Sequence, residues 1–177
     1  MFLLEIVAAV VAIAIVAVLL LAAGKPDTFR VERTLEIRSA PEAIFASIVD
    51  FRQWVGWSPW EGIDPGMARE YDGTPEGQGA VYRWSGNGKV GAGTMEITRV
   101  RVPTSITLKL DFERPFEAHN TTEFTLVPVG GSTRVTWAMS GPNRFLAKVF
   151  HVFLDMDRMV GKDFEKGLHN LKTLAEK

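Results

Sequence analysis

The stretch NRFLAKVFHVFLDMDRMVGKDFEKGLHNLKTLA, residues 143–175, decides the fold. Val149, Phe153, Met156, Val160, Phe164, Leu168 and Leu171 recur in it at three- and four-residue steps. That spacing predicts one long helix with a single apolar stripe. His151, Asp155, Arg158, Lys162, Glu165 and His169 take the same steps on another face, the pattern of a solvated surface laced with ion pairs. Gly161 and Gly167 interrupt the pattern, each at about 1 kcal/mol relative to Ala, which points to close approach between this helix and what it covers. A hinge that admits a ligand is the alternative. A stripe this long must bury itself against another apolar surface.

The preceding chain supplies that surface. Phe29, Val31, Leu35 and Ile37 share one strand face and Arg30, Glu32, Thr34 and Glu36 the other, with Arg33 anomalous on the apolar side. Ser39-Ala40-Pro41-Glu42 reads as an N-cap, an early Pro and an acidic first turn, opening a helix that carries Ile44, Phe45, Ile48 and Val49. Residues 51–65 are aromatic and irregular, with Trp54, Trp57 and Trp60 close together. A short strand over residues 68–71 and a turn cluster over 72–77 follow. Residues 80–85 and 89–102 form a predicted hairpin around Gly86-Asn87-Gly88. Residues 105–112 alternate again, and 116–129 with 132–140 make a second hairpin across Gly130-Gly131. The fold class is therefore α+β: a twisted antiparallel sheet curved around the C-terminal helix. Such a sheet need not touch the helix along its whole length, so a gap lined by inward side chains is expected between them.

Residues 2–23 form an apolar run broken only by Glu5. About 20 residues at roughly 1.5 Å each match a bilayer core of about 30 Å. The rival reading is a cleaved signal peptide, but the segment lacks a basic n-region, its apolar run is long, and Leu21-Ala22-Ala23-Gly24 is a poor cleavage site. The expected organisation is a transmembrane anchor over residues 1–24 and a soluble domain over 25–177. Lys25, Arg30, Arg33 and Arg38 follow the run and no Lys or Arg precedes it, which puts the C-terminal domain of a single-pass membrane protein in the cytoplasm.

With 20 basic and 21 acidic residues there is no basic face for nucleic acid. The absence of Cys excludes disulfide and thiolate chemistry, and three widely spaced His residues give no metal-ligating signature. No cofactor-binding loop is present: the Gly-rich segments at 86–88 and 91–93 open no helix with Lys-Ser/Thr, and read as a turn and a bulge.

Four segments carry a family resemblance: Trp57-Ser58-Pro59-Trp60; GAGTMEI at 91–97; TRVTWAMSGP at 133–142; and DMDRMVGKDFEKGL at 155–168. Through them, residues 29–177 resemble the polyketide cyclase/dehydrase-like proteins of the START and birch-allergen superfamily, often called SRPBCC proteins. The resemblance implies the helix-grip fold, an antiparallel sheet around a long C-terminal helix with an apolar cavity between. Members bind lipids, sterols, quinones or polyketides, and some are enzymes. No shared catalytic motif defines this subgroup, so no catalytic residue is carried over.

Strand parity and the helix stripe nominate the cavity residues. Trp57 and Trp60 lid its mouth, sit at the bilayer interface or cap the core edge. Tyr82 and Trp84 share one face, as do Asn120 and Thr122, Trp137 and Met139, and Met95, Ile97 and Arg99. Arg33, Tyr82, Asn120 and Thr122 are the polar candidates within an apolar pocket. Leu108 and Leu110 on a strand, with Phe153, Met156 and Val160 on the helix, complete the set. Glu96, Glu123, Asp111 and His119 fall on the opposite parity, so the expected pocket has no obvious acid or base unless a bulge near Gly91–Gly93 reverses Glu96. The function expected is binding of a hydrophobic small molecule at a membrane. The alternatives are a polyketide cyclase/dehydratase-like enzyme, with a carboxylate or His in the cavity, and an interaction or chaperone protein with a filled core.

Overall fold

The computed structural model describes residues 1–177. Helix α1 (Phe2–Ala23) precedes the folded domain, and only Ala22 in it is buried. Strand β1 (Thr28–Ile37) leads into helix α2 (Pro41–Val49) and a 3₁₀ turn (Phe51–Gly56). Six strands follow: β2 (Ala68–Gly73), β3 (Ala80–Ser85), β4 (Ala92–Arg101), β5 (Ser105–Arg114), β6 (Ala118–Val129) and β7 (Ser132–Pro142). Helices α3 (Phe145–Phe153) and α4 (Met156–Ala175) close the chain.

All seven strands form one antiparallel sheet in the order β1-β7-β6-β5-β4-β3-β2. Its concave face grips α4, the helix-grip architecture. Phe164, Leu168 and Leu171 of α4 are buried in one core with Val31 and Ile37 of β1, Val135 and Trp137 of β7, and Ile44 and Ile48 of α2.

Five sequence expectations change. The single helix over 143–175 is two helices. Leu154 and Asp155 are extended, and the Asp155 side chain caps α4 by accepting from the Arg158 backbone N–H at 3.0 Å. A good N-cap competes with helix continuation at that point. Val149 and Phe153 therefore leave the stripe that α4 presents to the sheet. Second, Ala40 and not Ser39 holds the N-cap of α2, with no side-chain bond. Third, β4 begins at Ala92, not at residue 89. Fourth, the short strand expected over 68–71 runs on to Gly73, where it still pairs with Ala80. Fifth, an irregularity between Ile97 and Arg99 turns Arg99 outward and lets Val100 pack on the core in its place. One extra residue in a strand has that effect on every side chain after it.

Both helical glycines sit where α4 closes on its neighbours. A Cβ on Gly161 would collide with the Arg33 guanidinium, and one on Gly167 would lie 2.6 Å from Cζ3 of Trp137 and 3.0 Å from Cδ of Pro59.

Candidate functional site

The site is built on an aromatic belt. Trp54 Nε1 donates to the Ile48 carbonyl and Trp57 Nε1 to the Ser47 carbonyl, each at 2.9 Å, so both indoles are tied to α2 and directed inward. Their rings lie 4.7 Å apart. Trp137 stacks flat on Phe164 at 4.2 Å, and Trp60 meets Trp137 edge-on at 5.6 Å. Offset and edge contacts of this kind are favourable beyond their buried area. Phe124 of β6 lies 4.9 Å from Trp137 of β7, so the belt fills the sheet–α4 gap over these two strands.

Beyond the belt the gap is open. A cavity of about 260 Å³ lies under α4, with 13 hydrophobic residues among the 20 that line it. Trp60, Tyr82, Trp84, Met95, Leu110 and Phe112 form its walls, Val160 and Phe164 of α4 its roof, and Thr122, Trp137 and Met139 its inner side. Lys89, Arg114 and Pro115 are exposed and stand at its mouth. Small-molecule sites are typically about 300–1,000 Å³, mostly apolar, with a few placed polar groups. This cavity falls just below that range.

Two residues of this lining each bury a polar atom that has no partner. Thr122 and Trp137 are 3% and 2% exposed, and neither Thr122 Oγ1 nor Trp137 Nε1 has a hydrogen-bond partner in the protein. Buried donors without partners are rare, because each forfeits the hydration it had in the unfolded chain.

A buried carboxylate also lines the cavity, and parity missed it. Glu61 accepts from Tyr82 Oη at 2.7 Å through Oε1 and from Arg69 Nε at 2.7 Å through Oε2. Arg69 also donates to the Glu61 and Met67 carbonyls. Burial and then the Glu61 carboxylate push the Tyr82 phenol well above its ordinary range, so it stays protonated and donates. The hydrogen bond to Glu61 likewise holds the Arg69 guanidinium above its ordinary value. Glu61 sits in the irregular segment before β2, where no period reports direction. Asp163 of α4 lines the cavity too. The expectation of a pocket with no acid or base is corrected on both residues. Glu96 remains exposed, Glu123 pairs with Arg30, and Asp111 with Lys109 and His119, all outside the lining.

Of the residues nominated from sequence, the fold brings Trp60, Tyr82, Trp84, Leu110, Thr122, Trp137, Met139 and Val160 together around the cavity. Six lie elsewhere. Trp57 is buried in the belt and Leu108 in the packed core, both outside the lining. Asn120 packs against Gly141. Arg33 crosses Gly161 to pair with Asp157 at 2.9 Å and Glu165 at 2.7 Å, which holds its guanidinium above the ordinary range. The anomaly in β1 is thus a strand-to-helix clamp. Phe153 is 70% exposed on α3, and Met156 stands at the first turn of α4, away from the cavity. The helix break accounts for both. The filled core expected of a cavity-less interaction protein is not what the structure has.

Comparison with known proteins agrees with this architecture. The sequence model of the family described as polyketide cyclase / dehydrase and lipid transport matches residues 28–176, and the chain belongs to that family. No curated protein matches the sequence. Among solved structures, the chain resembles ginseng major latex-like protein 151 from Panax ginseng, with a TM-score of 0.60, 13% identity, and 85% of this chain and 99% of that one covered. It also resembles protein CV1439 from Chromobacterium violaceum, with a TM-score of 0.59, 14% identity, and coverage of 86% and 99%. The Aha1 dimer from Colwellia psychrerythraea aligns with a TM-score of 0.53, 15% identity, and coverage of 84% and 94%. At these identities the likeness is one of fold.

Proposed function

We propose that this family member is a membrane-anchored binding domain for a hydrophobic small molecule that carries a hydrogen-bond acceptor, such as a quinone or polyketide carbonyl. The observation that carries the reading is an apolar cavity whose lining residues Thr122 and Trp137 each hold a buried polar atom without a partner, Oγ1 and Nε1. Burying the apolar body drives association at about 25 cal/mol per Å². The indole N–H, a donor only, and the Thr122 hydroxyl then select a ligand that presents an oxygen. Helix α1 is long and apolar enough to cross a membrane, and anchoring would keep the domain beside a lipid pool. The Lys/Arg asymmetry around it supports a cytoplasmic domain; a reporter fused after Lys177 that works only outside the cytoplasm would reverse that topology if active.

The enzyme alternative rests on Glu61. Both its oxygens are engaged, by Tyr82 and by Arg69, so neither is free to reach a proton on a bound ligand. That favours a structural and orienting part for it over proton abstraction.

A matched pair of probes tests the binding reading on the domain from Lys25 to Lys177, which is expected to melt cooperatively without α1. 2-Methyl-1,4-naphthoquinone and 2-methylnaphthalene share a ring system and differ in the two carbonyl oxygens. The quinone is expected to bind about 2- to 10-fold more tightly by calorimetry, the worth of one net hydrogen bond, and Thr122→Val is expected to narrow the gap. Equal affinities would remove the acceptor from the proposal. Absence of binding by either probe would remove the small-molecule reading.

A further inference from the structure

We infer that the cavity mouth is held against the lipid bilayer by α3 and by Phe116, so that ligand passes between membrane and cavity without crossing water. Thr28 pairs opposite Pro142, Ala118 opposite Phe112, and Ala92 opposite Arg114 and Ser85. The start of β1, the end of β7, the β5–β6 turn and the β3–β4 turn therefore share one end of the sheet. Lys89, Arg114 and Pro115, which stand at the mouth, belong to those two turns. At the same end α1 joins β1, and β7 passes into α3. The mouth, the apolar N-terminal helix and α3 are thus on one side of the domain.

Helix α3 is turned inside out for a soluble protein. Phe145, Leu146, Phe150 and Phe153 follow helical spacing and are 52%, 69%, 54% and 70% exposed, and Leu154 just past the helix end is 49% exposed. Its covered face carries Ala147, Lys148, Val149, His151 and Val152. That face packs on α1, where only Val18 and Ala22 are covered, two positions in its last turns. The contact therefore lies where a spanning helix emerges from hydrocarbon. The arrangement is pinned: Lys148 pairs with Asp27 at 2.6 Å, and Asn143 donates from its backbone N–H to the Asp27 carbonyl and from Nδ2 to the Pro26 carbonyl.

The partner that fits is a lipid surface. The segment 141–154 has no acidic residue; Arg144 is exposed at the start of its aromatic and aliphatic stripe, and the exposed Lys89 and Arg114 stand at the mouth beside it, while Lys148 is taken up by Asp27. A short amphipathic helix with basic residues beside an apolar face lies in the plane of an anionic membrane interface. Continuity with α1 sets the depth. Phe116, in the turn that follows Arg114 and Pro115, is 77% exposed and provides a second contact beside the mouth. The other exposed large apolar residues of the domain are Val55, Ile63, Val102, Val127 and Met159, none of them aromatic.

The inference rests on α1 being a membrane anchor, and the test separates the two. The chain has no Cys, so single cysteines at Val10→Cys, Phe116→Cys, Phe153→Cys and Val127→Cys can each carry a bimane label in the full-length protein. Leu146→Cys stands in if Phe153→Cys does not fold. The protein is reconstituted into phosphatidylcholine–phosphatidylglycerol vesicles with doxyl-labelled lipids, and iodide reports water. The labels at 10, 116 and 153 are expected to lose most of their emission to doxyl lipid, and the label at 127, at the far end of the sheet, to lose it only to iodide. A label at 10 untouched by doxyl lipid would remove the anchor and the docking together. A quenched label at 10 with 116 and 153 open to iodide would overturn docking alone. Quenching at 153 without 116 would overturn it too, because the mouth would face away from the bilayer. Labels at 116 and 153 shielded from both quenchers would mean a protein covers this face and would refute the lipid assignment. None of these outcomes depends on whether the cavity binds a small molecule.

Discussion

Leu108 and Leu110 are neighbours on the same face of β5 with opposite relations to the cavity, and their truncation tests whether it exists in solution. Leu108 is fully buried among core residues and takes no part in the lining. Leu110 lines the cavity and is only partly buried. Cutting Leu to Ala removes three carbons, worth about 2.4 kcal/mol at roughly 0.8 kcal/mol each when burial is complete. At Leu108 the removed volume leaves a new void among packed neighbours, which adds a cavity contribution and brings the expected cost of Leu108→Ala to about 3–5 kcal/mol. At Leu110 the side chain already lacks partners on one side, so fewer contacts are lost and no separate void forms; about 1–2 kcal/mol is expected. Urea melts of the two variants, compared at equal m-values with the parent, measure the difference. Equal costs, or a larger cost at Leu110, would show that the gap under α4 closes in solution, and the binding reading would lose its site.

Two further outcomes follow from local geometry. Gly167→Ala gains about 1 kcal/mol of helix propensity but drives a methyl group to 2.6 Å from Trp137 Cζ3, so the net effect expected is a loss of about 1–2 kcal/mol with an altered near-ultraviolet signal from the displaced indole; a neutral or stabilising result in a thermal melt would contradict the packing described. His119 lies between Asp111 at 2.8 Å and Glu117 at 3.1 Å, and those bonds raise its pKa above the ordinary imidazole value. A raised folded-state pKa means that its stabilisation is complete below about pH 6.5 and is lost as pH rises through the folded value. A ring-proton NMR titration is expected to show a midpoint above 6.5 that falls in Asp111→Asn; a parent midpoint at or below the ordinary value refutes the arrangement.

The strands of this protein were legible because each obeys a local rule. Alternation along β1, β5 and β6 needs only that one face meets a core, and the three-and-four spacing of Val160, Phe164, Leu168 and Leu171 needs only that one stripe meets a sheet. The same parity gathered Tyr82, Trp84, Leu110, Thr122 and Met139 around one cavity. It failed where position ceases to be periodic. The turn containing Trp57, Trp60 and Glu61 has no repeat, so its direction is set by contacts 8 to 21 residues away: Arg69 for Glu61, Ser47 for Trp57 and Tyr82 again for Glu61. The irregularity after Ile97 moved Arg99 outward in the same way.

The apolar length of residues 2–23, the run of alternating strands, the α+β class and the presence of a gripping helix are properties of local pattern, and the chain alone determines them. Tertiary structure decided where the C-terminal helix breaks, because residues 143–175 keep helical spacing throughout. Only the Asp155 cap and the packing of α3 on α1 distinguish two helices from one. It also decided that Arg33 is a clamp and not a pocket residue, because the carboxylates that claim it lie more than a hundred residues downstream. Direction in space beyond one element is fixed by partners distant in the chain. A periodic pattern reports which face is apolar and is silent about what that face will meet.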